Sequence, residues 1–244
     1  MFIYGRNVIR EVLTGNKREI QEIHMIDRIK DVGDILTAAK AKNVKVIFET
    51  RDKLDKLTGT DKNQGIAALI DDVKTVSLEE FLCTHNDTNI TIAVLDEVED
   101  PHNFGAIIRS CEVLGVAGIV VPTRRTAPIN DTVFKTSSGA VDMIDIIEVV
   151  NINQALEALK KNGFWIYGMD MAGDKYLDEI VFDNKTVIVL GNEGKGMRPL
   201  VKKNCDFLVK IRQAGKLDSL NVSNAAAIVL YHAMLKNISG KNSK

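Results

Sequence analysis

Three short stretches hold the residues whose types and spacing could do chemistry. The first is VLGNEGKGM, residues 189–197, an apolar strand running into a loop with three glycines. Such loops often cradle phosphate, but this one fails that reading on three counts. A P-loop needs a lysine followed by Ser or Thr, and here Lys195 is followed by Gly196. The dinucleotide fingerprint belongs on the first strand of its domain and has a different glycine order. Glu193 sits mid-loop, where its charge would repel phosphate. A glycine loop carrying a carboxylate suits a neutral or cationic ligand, and a plain strand-to-helix turn is the alternative.

The second stretch, LDEVEDPHNFGAIIRS at 95–110, places Asn103 and Arg109 on one helix start with small Gly105 and Ala106 between them. The third, IRQAGKLDSLNVSNAAAI at 211–228, alternates Ser219, Asn221 and Ser223 before an alanine-rich helix. Taken singly, each has a plain reading. Asn221 or Ser223 could cap the last helix, and Arg109 could be an ordinary surface arginine.

The elements that must position these stretches alternate. In the front part, GRNVIREVLT (5–14) reads as a helix stopped by Gly15 and Asn16, and EIQEIHMI as a strand. KDVGDILTAAKAKN then reads as a helix, VKVIFE as a strand, TRDKLDKLTG as a helix capped by Thr50, and GIAALI as a buried strand. This makes one small α/β unit, residues 1–72. Residues 73–88 break the rhythm and read as a polar linker carrying one short helix, SLEEFL, capped by Ser77. From residue 89 to 244 strands and helices alternate again. NITIAVLDEV, AGIVVP, MIDIIEVV, FWIYGMDM, KTVIVLG and DFLVKI are the strands, and a long helix from Asn221 closes the chain. Helices are expected over 101–115, with Pro101 near its first position and Gly115 past its end, and over 130–140. Others are expected over 152–163 and 197–204. This alternation predicts a parallel sheet covered on both faces. Trp165 in FWIYGM is expected in the core.

Bulk properties narrow the function classes. The 244 residues are 45% hydrophobic, yet no apolar run approaches the about 20 residues a membrane span needs. The start lacks the order of a secretion signal. Cys83, Cys111 and Cys205 form no C-x-x-C pair, and the four histidines share no metal-ligand spacing, so a disulfide framework, a zinc site and a metal centre are not expected. A reducing cytoplasm is the expected location. The net charge of −1 splits into +3 over residues 1–70, −4 over 71–88 and 0 beyond. A mildly basic front end is compatible with RNA contact.

Together the three stretches resemble the motif set of the SpoU family of the SPOUT superfamily, RNA ribose 2′-O-methyltransferases. DPHNFGAIIRS, GNEGKG after an apolar strand, and SLNVS before an alanine-rich helix occur in the family's order, with KTSSGA between the first two. The front part, opening YGRNVIREVL and closing NQGIAALI, resembles the ribosomal-protein-like substrate-binding domain of the bacterial 23S rRNA guanosine 2′-O-methyltransferase branch. The resemblance implies a trefoil-knotted parallel-sheet methyltransferase domain at 89–244, an α/β RNA-binding domain at 1–72, S-adenosylmethionine as methyl donor, and a homodimer. Guanosine in 23S rRNA is the implied target, with tRNA as the alternative within the family and a non-catalytic rRNA-binding protein as the rival outside it. It assigns Arg109 to the acceptor hydroxyl and Asn103, Glu193, Ser219 and Asn221 to the reacting centre. Gly191, Ile211 and Leu220 would cup the cofactor with their backbone.

Three residues depart from the family pattern. Arg212 and Gln213 follow Ile211 where the family usually has Pro and Met, and Asn63 stands where a His usually precedes Gln-Gly. Like charges repel, so Arg212 is expected to turn away from a cationic donor, toward RNA phosphate or solvent. Arg124 and Arg125, beyond the strand GIVVP, are either a solvated turn or phosphate contacts.

Overall fold

The computed structural model describes residues 1–14, 19–217 and 219–241, the last six of these as backbone only. The expected stop signals Gly15 and Asn16 lie outside the described residues. The chain divides into two compact units, Met1–Val73 with Ile129–Lys135, and Lys74–Pro128 with Thr136–Lys244.

The first unit runs β1 (Phe2–Tyr4), α1 (Arg6–Thr14), β2 (Ile20–Ile26), α2 (Gly33–Ala41), β3 (Lys45–Glu49), α3 (Arg51–Thr58) and β4 (Ile66–Ile70). Its sheet has the order β1-β4-β2-β3, with only β2 and β3 parallel. β1 went unread in the sequence because three residues show no periodicity. Thr50 precedes α3 as expected, but its side chain makes no capping bond.

The opening and closing motifs of this unit meet. The Arg6 amide donates to Gln64 Oε1 at 3.2 Å, and the Gly5 amide to the Ile66 carbonyl at 3.2 Å. Asn63 is fully buried just before. Its Nδ2 donates to Asp55 Oδ1 (2.7 Å), Thr58 Oγ1 (3.1 Å) and the Thr60 carbonyl (2.8 Å), while its Oδ1 accepts from the Gly65 amide (2.9 Å). Asn63 therefore organises the loop between α3 and β4. Asn63→Ala strands a buried amide and should lower stability by about 3 kcal/mol, read as a fall in the thermal midpoint of unfolding.

The second unit holds α4 (Leu78–Thr84), β5 (Ile90–Asp96), α5 (Pro101–Val113), β6 (Gly118–Pro122), β7 (Asp145–Val149), α7 (Ile152–Lys161), β8 (Trp165–Met169), β9 (Lys175–Tyr176), β10 (Lys185–Gly191), α8 (Pro199–Lys203), β11 (Phe207–Lys210) and α9 (Val222–Lys241). α6 (Asp131–Thr136) lies mostly in the segment grouped with the first unit. The sheet order is β7-β6-β5-β10-β8-β11-β9, and all its described pairings are parallel. All carboxyl ends therefore lie along one edge.

Local chemistry explains the elements. β5 is buried at every position between β6 and β10, and ITIAVL is apolar at every position but Thr91. α5 starts at Pro101 behind Asp100, whose carboxylate accepts from the His102 amide at 3.0 Å. Its Phe104, Ile107, Ile108 and Cys111 are buried at helical spacing. Asn151 caps α7 through the Asn153 and Gln154 amides, and Ile152, Ala155, Leu156 and Leu159 pack into the core.

The stretch read as a connector is built into the second unit from Val76 onward. The Val76 amide donates to the Ile146 carbonyl at 3.0 Å, and Phe81 of α4 is buried in the core. Ser77 caps α4 through the Glu80 amide, as expected. Trp165 is not a core residue. It is 47% exposed, because it stands at the first position of β8, at the sheet's rim, stacked on Phe207 with ring centroids 5.9 Å apart. Among the described residues, no helix is long and apolar enough to cross a membrane.

Candidate active site

The loop after β10 folds back on itself. The Asn192 amide donates to the Gly196 carbonyl at 3.1 Å, and the Gly196 amide to the Asn192 carbonyl at 2.9 Å. Asn192 Oδ1 accepts from the amides of Gly194 (3.0 Å) and Lys195 (3.2 Å). The amides that a phosphate loop would present to its ligand are thus consumed inside this one. Gly191 is required by the fold-back. A Cβ there would meet the Gly196 carbonyl carbon and the Met197 amide nitrogen at 2.3 Å.

Both ends of the loop are tied to β5. Asn192 Nδ2 donates to the Glu97 carbonyl at 2.8 Å. Arg198 donates to buried Asp96 from its amide (2.8 Å), its Nε (2.8 Å) and its Nη2 (2.7 Å), and its Nη1 lies 3.3 Å from Glu97. The sequence reading missed Asp96, Asn192 and Arg198. A lone carboxylate closing an otherwise uncharged, buried strand was the available signal.

A chain of amides then stitches the three motif stretches together. Asn221 Oδ1 accepts from the Ser223 amide at 2.8 Å, so its Nδ2 faces outward and donates to Asn103 Oδ1 at 2.9 Å. Asn103 Nδ2 in turn donates to Glu193 Oε1 at 2.9 Å. A backbone amide at one end and a carboxylate at the other fix both amide orientations, because neither end can reverse its role. Asn221 thus does both things the sequence left open: it caps α9 and reaches into the site.

Beside this chain lies a recess of about 320 Å³ at the carboxyl ends of β8, β10 and β11. Gly191, Glu193, Ile211, Ser219 and Leu220, all expected site residues, line it. Met169, Asp170, Met171 and Lys202 complete one wall, with Asp170 paired to Lys202 at 2.5 Å. Sequence reasoning missed this wall, because Met169, Asp170 and Met171 lie at least 20 residues before Gly191 and Lys202 lies beyond the loop.

Arg109 is placed differently. It lies six residues beyond Asn103, about 240° around the helix, so the face that buries Asn103 leaves Arg109 exposed. It does not line the recess, and it has no hydrogen bond or ion pair among the described residues. Arg125 is held by Glu97 at 3.1 Å, whereas Arg124 is exposed on the same sheet edge. No cysteine lines the recess. Cys111 is buried, and burial pushes the Cys205 thiol up to about 12.

The parallel sheet, with its recess at the strand carboxyl ends, has the fold of solved SpoU-type RNA methyltransferases. It aligns with AviRb from Streptomyces viridochromogenes, a SpoU methyltransferase solved with AdoMet, at a TM-score of 0.83 and 21% identity, over 98% of this chain and 91% of that one. An AdoMet-bound rRNA methyltransferase from Sinorhizobium meliloti aligns at 0.76 and 23% identity, over 95% of this chain and 85% of that one. Residues 90–231 match the SpoU rRNA Methylase family, and residues 2–76 match the family's RNA 2′-O ribose methyltransferase substrate-binding module. A Staphylococcus aureus (strain COL) protein named for the TrmH family of tRNA/rRNA methyltransferases is 36% identical over 239 residues, 96% of this chain and 95% of its own length. The chain belongs to the SpoU family of RNA 2′-O-ribose methyltransferases.

Proposed function

We propose that the protein methylates a ribose 2′-hydroxyl of 23S rRNA, at a guanosine, using S-adenosylmethionine, and that it does so as a cytoplasmic homodimer. The observation that carries the reading is the Asn221–Asn103–Glu193 chain, which joins all three motif stretches beside one recess. The recess chemistry fits the donor. Leu190, Val209, Ile211 and Leu220 offer apolar surface for adenine, Asp170 and Glu193 offer carboxylates to its cationic groups, and Lys202 offers a cation to its carboxylate. When bound, S-adenosylmethionine supplies an electrophilic methyl group.

The chain's own task is the acceptor. A ribose hydroxyl is a poor nucleophile near neutral pH and must shed its proton as it attacks. Arginine keeps its proton, so Arg109 acts by stabilising the developing alkoxide. Asn103, Glu193, Ser219 and Asn221 orient the acceptor nucleotide. Because Arg109 lies outside its own recess, the dimer is what unites it with a bound donor. Ile228 and Tyr231 on α9 and Val113 on α5 are exposed apolar residues on two helices that pack together, and they support that interface. Residues 1–72 hold RNA, with Arg124 on the sheet edge meeting phosphate.

Mass-spectrometric mapping of 2′-O-methyl marks in rRNA and tRNA from a deletion strain tests the proposal. Loss of one guanosine mark in 23S rRNA is expected. Loss of a tRNA mark would move the target to tRNA. Unchanged marks, with no heat of S-adenosylmethionine binding in calorimetry, would make the protein a non-catalytic RNA binder.

A further inference from the structure

We infer that Arg212 is a positioning residue that clamps the irregular segment 211–217 so that Ile211 and Gln213 stay in the recess wall. This inference rests on the S-adenosylmethionine reading of the recess. β11 pairs with β9 as far as Lys210 opposite Tyr176, and then the chain leaves the sheet, with residues 211–217 in neither strand nor helix. Ile211 and Gln213, on either side of Arg212, both line the recess. Arg212 points the other way. Its Nε donates to both carboxylate oxygens of Asp178 (2.9 and 3.0 Å), and its Nη2 donates to Glu179 Oε1 at 2.6 Å. Its guanidinium lies over the Tyr176 ring, 3.7 Å from the centroid.

Tyr176 ends β9, and Asp178 and Glu179 form the short turn that follows it. The three partners therefore belong to one stretch anchored to the sheet. An exposed ion pair alone is weak, since the two side chains must be ordered to make it. Here one planar group is shared by two carboxylates and a ring face, so its ordering is spent once on three contacts. With Arg212 held on Asp178 and Glu179, its neighbours Ile211 and Gln213 are held on the recess side. Proline would hold this position by covalent geometry, fixing φ; arginine holds it by charge and stacking.

The test compares wild type with Arg212→Ala, Arg212→Pro and the double variant Asp178→Asn, Glu179→Gln, using S-adenosylmethionine titration, steady-state kinetics and hydrogen exchange. Arg212→Ala should weaken S-adenosylmethionine binding about tenfold, from three contacts of modest strength. It should raise KM for the donor with little change in kcat. The double variant should match it, and Arg212→Pro should return to within about twofold of wild type. Added salt should weaken wild type more than Arg212→Pro, because only the ionic clamp is screened.

Exchange of amides in 211–217 should be faster in Arg212→Ala than in wild type even without the donor. Equal exchange and equal affinity would overturn the clamp. So would a loss of RNA affinity with donor affinity intact, which would assign Arg212 to phosphate. If wild type takes no S-adenosylmethionine, the recess reading fails, and the exchange comparison alone decides the clamp.

Discussion

Arg109→Ala is expected to lower methyl transfer by about 100- to 1000-fold while leaving S-adenosylmethionine affinity within about twofold of wild type, the scale for removing one electrostatic group from a transition state. The two halves of this expectation have separate causes. Arg109 is exposed and absent from the recess wall, so the donor does not depend on it. Under the proposed assignment the acceptor does, because its oxygen gains charge as the methyl group moves. Arg109→Lys should recover only part of the rate, since an ammonium keeps the charge and loses the planar fork that can span a ribose oxygen and a phosphate. Single-turnover rates with RNA, beside calorimetry with the donor alone, read both halves. A variant that turns over like wild type would remove Arg109 from the reaction.

The same placement yields a mixing experiment. If one protomer's Arg109 serves its partner's recess, then Arg109→Ala and a donor-binding variant are each inactive as homodimers. Exchanged heterodimers regain one complete site. Equal mixing gives about half heterodimers, so about a quarter of wild-type activity should return. No recovery would mean that each protomer works alone.

The order of the motifs and the strand–helix alternation were legible because they are local. A buried parallel strand is apolar at nearly every position, as in ITIAVL, and a helix start shows its Asp-Pro. What joins the motifs was not legible. Asn103 meets partners 90 and 118 residues away, and no periodicity links such positions. β9 has two residues, too few for a pattern, and without it the acidic pair that holds Arg212 has no place in the fold. The sequence argument turned Arg212 toward phosphate or solvent, whereas the chain supplies its own carboxylates, Asp178 and Glu179, outside the recess. Trp165 was misplaced for a related reason. A strand's residue types give its faces, whereas its end at the rim depends on the register with β10.

Gly191→Ala is expected to weaken donor binding about 100-fold or more and to lower stability by about 3 kcal/mol, the upper range for overpacking a tight site. The new Cβ would sit 2.3 Å from backbone atoms of Gly196 and Met197. Backbone cannot rotate aside as a side chain can. The return of the loop must open, which breaks the paired amide bonds between Asn192 and Gly196. Glu193, on the displaced segment, then loses its place opposite Asn103.

The neighbouring glycines separate this cause from others. Gly196→Ala meets no atom within 4 Å, but its φ of +66° is one that a side chain resists, so a loss of about 1 kcal/mol is expected. Gly194→Ala finds only the Asn192 side chain, at 3.8 Å, and should match wild type in stability. Thermal unfolding and donor titration of the three variants should therefore rank Gly191, Gly196, Gly194 from most to least damaging. Gly194→Ala that stays stable yet loses the donor would show that close approach of the ligand to the loop, rather than the loop's own fold-back, is what the bare backbone serves.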